Sequence, residues 1–260
     1  MFFQLGYLEK AEEMRSRARA INERFGIPGF ERWRLGEDVE SFYQRGRWDV
    51  AETISKQWLE DMGPSGHYLE ATVRLYRSQL AFARDDVDAA VQEGKLSLQR
   101  ARVVKDPQVL EPILAWWAFL SLKLGRQADA TDSLDELLTE WGGVYRGYAT
   151  GAVAPAWVAH ALGRGREVEP TLKPRAPMNL WANAALHIVR GEFTAAADII
   201  DQIGSLPDAA YARLRAAHAL VDAGRRAEVD EQLGRALTFY RSVGAARYVR
   251  EAEALPAATA

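Results

Sequence analysis

The chain has 260 residues, a formal net charge of −3 and no cysteine, which excludes disulfides, thiol catalysis and cysteine-ligated zinc. Acidic and basic residues are interspersed, so the basic face that nonspecific nucleic-acid binding requires is not expected. Apolar residues make up 48%, enough for a continuous core, but no run reaches the roughly 18 apolar residues of a spanning helix. The start MFFQLGYLEKAEE lacks the basic region and cleavage site of a secretory signal, so cytoplasmic residence is the expectation.

In chain order, one cadence recurs. A turn residue is followed two positions later by a larger side chain and five positions later by a small one. Gly6 leads to Ala11, Gly46 to Ala51, Asp85 to Ala90, Gly125 to Ala130, Gly191 to Ala196 and Gly224 to Val229. Twelve positions after the turn come Ala18, Trp58, Ser97, Leu137, Ile203 and Ala236. The turn residues are 40, 39, 40, 66 and 33 apart. The long gap holds a degenerate unit, with Gly163 at the turn and Val168 at the small-residue place. A period of this size is the mark of a helical array. The turn residue ends one helix in a left-handed conformation, and the small residue allows the next helix to cross it closely. Stacking then buries the apolar faces that one hairpin leaves open.

First helices are expected at 31–45, 71–84, 112–124, 155–162, 179–190 and 210–223, all rich in Ala, Leu and Arg, which favour helix. Sustained two-residue alternation, the strand signal, is missing. Pro28, Pro64, Pro107 and Pro207 are expected between hairpins. Gly94 and Gly234, inside second helices, are expected at close helix approaches. The segment 163–179 is rich in Gly and Pro and predicts an irregular unit. The fold expected is all-α: one right-handed α-solenoid over 1–260, of about seven helix-turn-helix hairpins, the first incomplete.

The hairpin pattern resembles the tetratricopeptide repeat (TPR), with longer linkers. The closing segment RRAEVDEQLGRALTFYRSVGAARYVREAEAL (225–255) resembles the C-terminal end of the repeat region in large bacterial signalling ATPases. Those chains begin with an adenylate/guanylate cyclase domain or end with a LuxR-type DNA-binding domain. The resemblance implies a multidomain parent, upstream domains as partners, and a role in signal transduction or transcription regulation. It also implies a concave surface lined by first helices.

No phosphate loop and no HExxH motif is present. GRGRE (163–167) follows no strand and does not read as a dinucleotide site. His67, His160, His187 and His218 lie in different units, without carboxylates at ligand spacing, so no metal and no cofactor is expected. GGVYRGYATG (142–151) reads first as an inter-hairpin connection, then as a ligand loop.

Counting back from each turn residue places Trp33, Tyr43, Tyr76, Phe82, Trp116, Phe119, Trp157, Trp181 and Tyr211 near the concave lining, and several of them as core. Arg74, Arg77 and Arg215, with Glu37 and Glu40, would add polar selectivity. Aromatics and Arg are the usual anchors of binding surfaces. The partner-binding groove is therefore assigned to Tyr76, Phe82, Trp116, Phe119, Trp157, Trp181, Tyr211, Arg74 and Arg215, with a protein, a peptide or a small effector as occupant. A non-catalytic interaction and effector-sensing module is the first functional expectation. A stand-alone scaffold or small-ligand-binding protein is the alternative, and an enzyme on a helical toroid comes after both. Because only MFFQL precedes Gly6, with Phe2, Phe3 and Leu5 at the terminus, the chain is expected to be a fragment of the parent. The alternative is a genuine start that folds back on the second helix.

Overall fold

The structure is a computed structural model that describes residues 2–26, 29–63, 66–140 and 153–255. Every regular element among them is a helix: α1 (Phe2–Leu5), α2 (Leu8–Phe25), α3 (Phe30–Gln44), α4 (Trp48–Glu60), α5 (Glu70–Ala83), α6 (Val87–Val104), α7 (Pro107–Lys123), α8 (Gln127–Glu140), α9 (Val153–Ala161), α10 (Gly165–Leu172), α11 (Leu180–Val189), α12 (Phe193–Ile203), α13 (Leu206–Asp222), α14 (Arg226–Ser242) and α15 (Ala246–Glu253). Pro28, Pro64 and the segment 142–151 lie outside the described residues. No described helix is long and apolar enough to cross a membrane.

Consecutive helices pack in pairs: α3 with α4, α5 with α6, α7 with α8, α11 with α12 and α13 with α14. Each anticipated turn residue has a positive φ, including Asp85 at 72° without the freedom of glycine. Ala51, Ala90, Ala130 and Ala196 have no accessible surface. Side-chain hydroxyls lock one pair: Ser78 donates to the carbonyl of Ala90 and Ser97 to that of Ala71, both at 2.7 Å. Arg213 bolts three successive helices by donating to Asp198 and Asp201 on α12 and to Gln232 on α14.

Two expectations need correction. Pro107 and Pro207 sit in the first turns of α7 and α13, where the missing N–H has no intrahelical partner to lose. The Asp106 side chain caps α7 by accepting from the Gln108 N–H at 2.9 Å. A Cβ on Gly94 would meet Ser78 and Trp117 at 3.1 and 3.2 Å, but one on Gly234 would meet nothing within 4 Å, so only Gly94 marks a close approach. Ala18 is exposed on α2, whose one buried residue is Leu8. The irregular unit is a short α10 followed by turns over 173–178.

The array closes on itself. Helix α1 packs on α11, α13 on α3 and α15 on α5. The Trp181 indole donates to the Phe3 carbonyl and the Asn179 amide to the Gln4 carbonyl, both at 3.0 Å. Arg247 and Arg250 both bind the Asp85 carboxylate, at 3.0 and 2.6 Å. Gly6 and Gly46 serve two purposes here. Each makes a left-handed turn, and a Cβ would stand 2.8 Å from Leu180 or 2.9 Å from Phe239, closer than side chains approach.

Candidate ligand site in the lumen

Closure turns the concave surface into a lumen. Trp116 and Phe119 on α7, Phe82 on α5, Tyr211 on α13 and Tyr248 on α15 form a ring, each aromatic centroid 5.3 to 6.2 Å from the next. Edge-to-face and offset contacts of this kind suit the aromatic quadrupole. The Trp116 indole N–H donates to Ser78 at 2.8 Å, which fixes its plane to the α5–α6 pair. Tyr43 stacks on Trp48 at 5.3 Å and tilts against Tyr76 at 5.2 Å.

Between these groups is a cavity of about 70 Å³, lined by Tyr43, Gln44, Tyr76, Trp116, Phe119, Trp157, Asp208, Tyr211, Tyr240 and Tyr248, among others. It meets a wider mouth of about 370 Å³ across Leu75, Tyr76 and Pro112. Phe3, Arg15, Trp33, Glu37 and Glu40 line that mouth.

Three carboxyls line this space: Glu37, which accepts from the Trp33 indole at 3.0 Å, and the more deeply set Asp208 and Glu40. The Ser205 hydroxyl lies 2.5 Å from both Gln44 Oε1 and Asp208 Oδ2; with one proton, it donates to one at a time. Burial pushes the Asp208 carboxyl up to about 6, against the opposing Ser205 hydrogen bond. Burial also raises Glu40, although the Tyr76 hydroxyl donates to it. Neither Asp208 nor Glu40 has an ion pair among the described residues. The Tyr240 hydroxyl is buried and has no hydrogen-bond partner among the described residues.

Beyond Tyr211 the charges are settled. Lys123 and Arg215 both lie 5.1 Å from the Tyr211 ring centre. Burial pushes Glu251 up, but Lys123 and Arg215, which also donates to it, hold its carboxyl below the usual range. Burial, then Arg215, lowers the pKa of the adjacent His218, so its imidazole is neutral at pH 7.

Of the anticipated groove residues, Tyr76, Trp116, Phe119, Trp157 and Tyr211 line the cavity. Phe82 is fully buried in the ring behind it, under Arg247 at 4.1 Å. Trp181 lies at the α1–α11 junction. Arg74 is absorbed by Glu70 and Glu93, so it does not face the lumen as anticipated, and Arg215 belongs to the Glu251 cluster. Asp208, Gln44, Tyr240 and Tyr248 were not anticipated. No three potential ligands converge on a metal position among the described residues.

Comparison with protein-family models, with curated proteins and with solved structures returns no match.

Proposed function

We propose that the chain is an effector-sensing interaction module, non-catalytic in itself. In this reading it is a right-handed, TPR-like solenoid of about seven hairpins, belonging to a bacterial signalling ATPase or nucleotidyl cyclase. Its occupant is a small effector held in the lumen, and upstream domains of the parent receive the signal. One observation carries the proposal: the aromatic ring around the cavity is completed by Tyr248 of the terminal helix α15, so an occupant would bear on the element that closes the array. A peptide long enough to cross the groove would have to displace α15, which favours a small ligand.

The test is a thermal-shift panel of amines, amino acids, sugars and nucleotides on the whole chain. At least one class should raise the Tm, and Trp157→Ala should abolish that shift while the circular dichroism stays helical. If no class shifts the Tm, or if the shift survives both Trp157→Ala and Tyr211→Ala, the lumen is not an effector site.

A further inference from the structure

We propose that the lumen selects a small organic cation, an alkylammonium or quaternary ammonium head, held between the aromatic faces and the carboxyls of Asp208 and Glu40. This rests on the lumen being the effector site and adds the chemical class of the effector.

The first argument is charge. Asp208 and Glu40 stand on α13 and α3, on either side of Tyr76, which lines both the cavity and the mouth. The basic side chains nearest the lumen are engaged elsewhere. Lys123 and Arg215 sit against Glu251 beyond Tyr211, and Arg247 and Arg250 hold Asp85. Arg15 reaches the mouth, where its charge favours the ionised Glu40 carboxyl, and not the cavity that Asp208 lines. An ionised Asp208 therefore lacks a counter-cation, and in a buried site an uncompensated carboxylate either takes a proton or takes a cation. The chain supplies the first solution up to about pH 6; a bound ammonium would supply the second.

The second argument is the wall. Cations are attracted to aromatic faces within about 6 Å, most strongly to Trp and then Tyr, and more so where water is excluded. Trp116, Trp157 and Tyr43 line the cavity with such rings, and a neutral apolar ligand would leave an ionised Asp208 without a counter-charge. The third is the Tyr240 hydroxyl. It is 1% exposed, lines the same cavity and has no hydrogen-bond partner among the described residues. A buried hydroxyl calls for a partner, and the N–H of a primary ammonium or the hydroxyl of choline would supply one.

Size sets the head. A cavity of about 70 Å³ offers about five water-sized positions, which suits a trimethylammonium or primary ammonium group. The mouth has room for the remainder of the molecule.

The experiment titrates the whole chain with choline and with butylammonium, and in parallel with their uncharged counterparts dimethylbutanol and butanol, following tryptophan fluorescence and calorimetric heat. The expected result is at least about tenfold tighter binding of a cation than of its neutral counterpart, as one cation–aromatic contact in a dry site would give. Asp208→Asn, which keeps the side-chain shape, should erase that preference, and Glu40→Gln should reduce it. The wild-type comparison decides even if a variant fails to fold. Equal binding of cation and neutral counterpart overturns the cation inference and leaves the lumen as an effector site. So does binding of a sugar or nucleotide, lost in Trp157→Ala, where neither cation binds. If no compound of either panel binds, both proposals fall.

Discussion

The seams between paired helices and the lumen they surround are built from the same elements in opposite ways. Ala51, Ala90, Ala130 and Ala196 disappear completely into the seams, and the Ser78 and Ser97 hydroxyls there donate to backbone carbonyls. The lumen collects large aromatic side chains, the Asp208 and Glu40 carboxyls without ion pairs among the described residues, and the Tyr240 hydroxyl without a hydrogen-bond partner among them. Buried polar atoms without a hydrogen-bond partner among the described residues occur outside the lumen too, Ser121 Oγ and Arg213 Nε among them, so what sets the lumen apart is that its aromatic and polar groups come from helices far apart in the chain.

The largest expected effect strikes the lumen wall. Trp116→Ala removes a ring member and the indole that anchors Ser78, and large-to-Ala changes of this kind cost about 3–5 kcal/mol. Urea unfolding measures it, and a loss below about 1 kcal/mol would mean that the ring does not hold the fold.

The second is confined to the lumen as well. Asp208 binds its proton more tightly when folded, so between about pH 4 and pH 6 the native state carries the extra proton. Stability then falls as pH rises through that window, by at most on the order of 3 kcal/mol. Burial gives Glu40 the same sign. His67 and His218, lowered mainly by burial, act in the opposite direction. The difference between wild type and Asp208→Asn isolates the carboxyl: the wild-type curve should lose more stability over the window than the variant. Parallel curves would place Asp208 in solvent.

The third turns to the seams. Ala51→Leu and Ala130→Leu overpack positions with no free surface and should each cost about 1–3 kcal/mol with the helical signal intact below the transition. Unchanged midpoints would show that the seams tolerate bulk. The smallest effect has the reverse sign. Gly234 lies in a helix with open space around it, so Gly234→Ala should stabilise by about 1 kcal/mol; a loss would reveal a seam where none is visible.

How much of this could be read beforehand follows the range of the contacts. The seams depend on a turn residue and a small residue five positions later, a local rule, so Gly46–Ala51 and Gly125–Ala130 gave them away. The lumen wall was partly legible, because Trp116, Phe119 and Trp157 fall on successive first helices. Its polar members were not: Asp208 meets Gln44 through Ser205, 161 residues away, and no periodicity encodes that pairing. Tyr240 and Tyr248 belong to the closing segment, and Tyr248 reaches the lumen because α15 turns back on α5. Arg74 was misassigned despite a visible signal, since Glu70 stands four positions before it and such pairs meet on one helix face.

The clasp of Arg247 and Arg250 on Asp85 also sets an order in time. In an open helical array each hairpin needs only its neighbour, and folding can start anywhere and spread. Here the partners are 162 and 165 residues apart, and distant pairings form late because the intervening chain must first be gathered in. During synthesis, α3 and α5 emerge long before α13 and α15. The sides of these helices that meet α13 and α15 therefore stay bare until those two helices emerge, and closing is the step that converts a string of hairpins into one cooperative body.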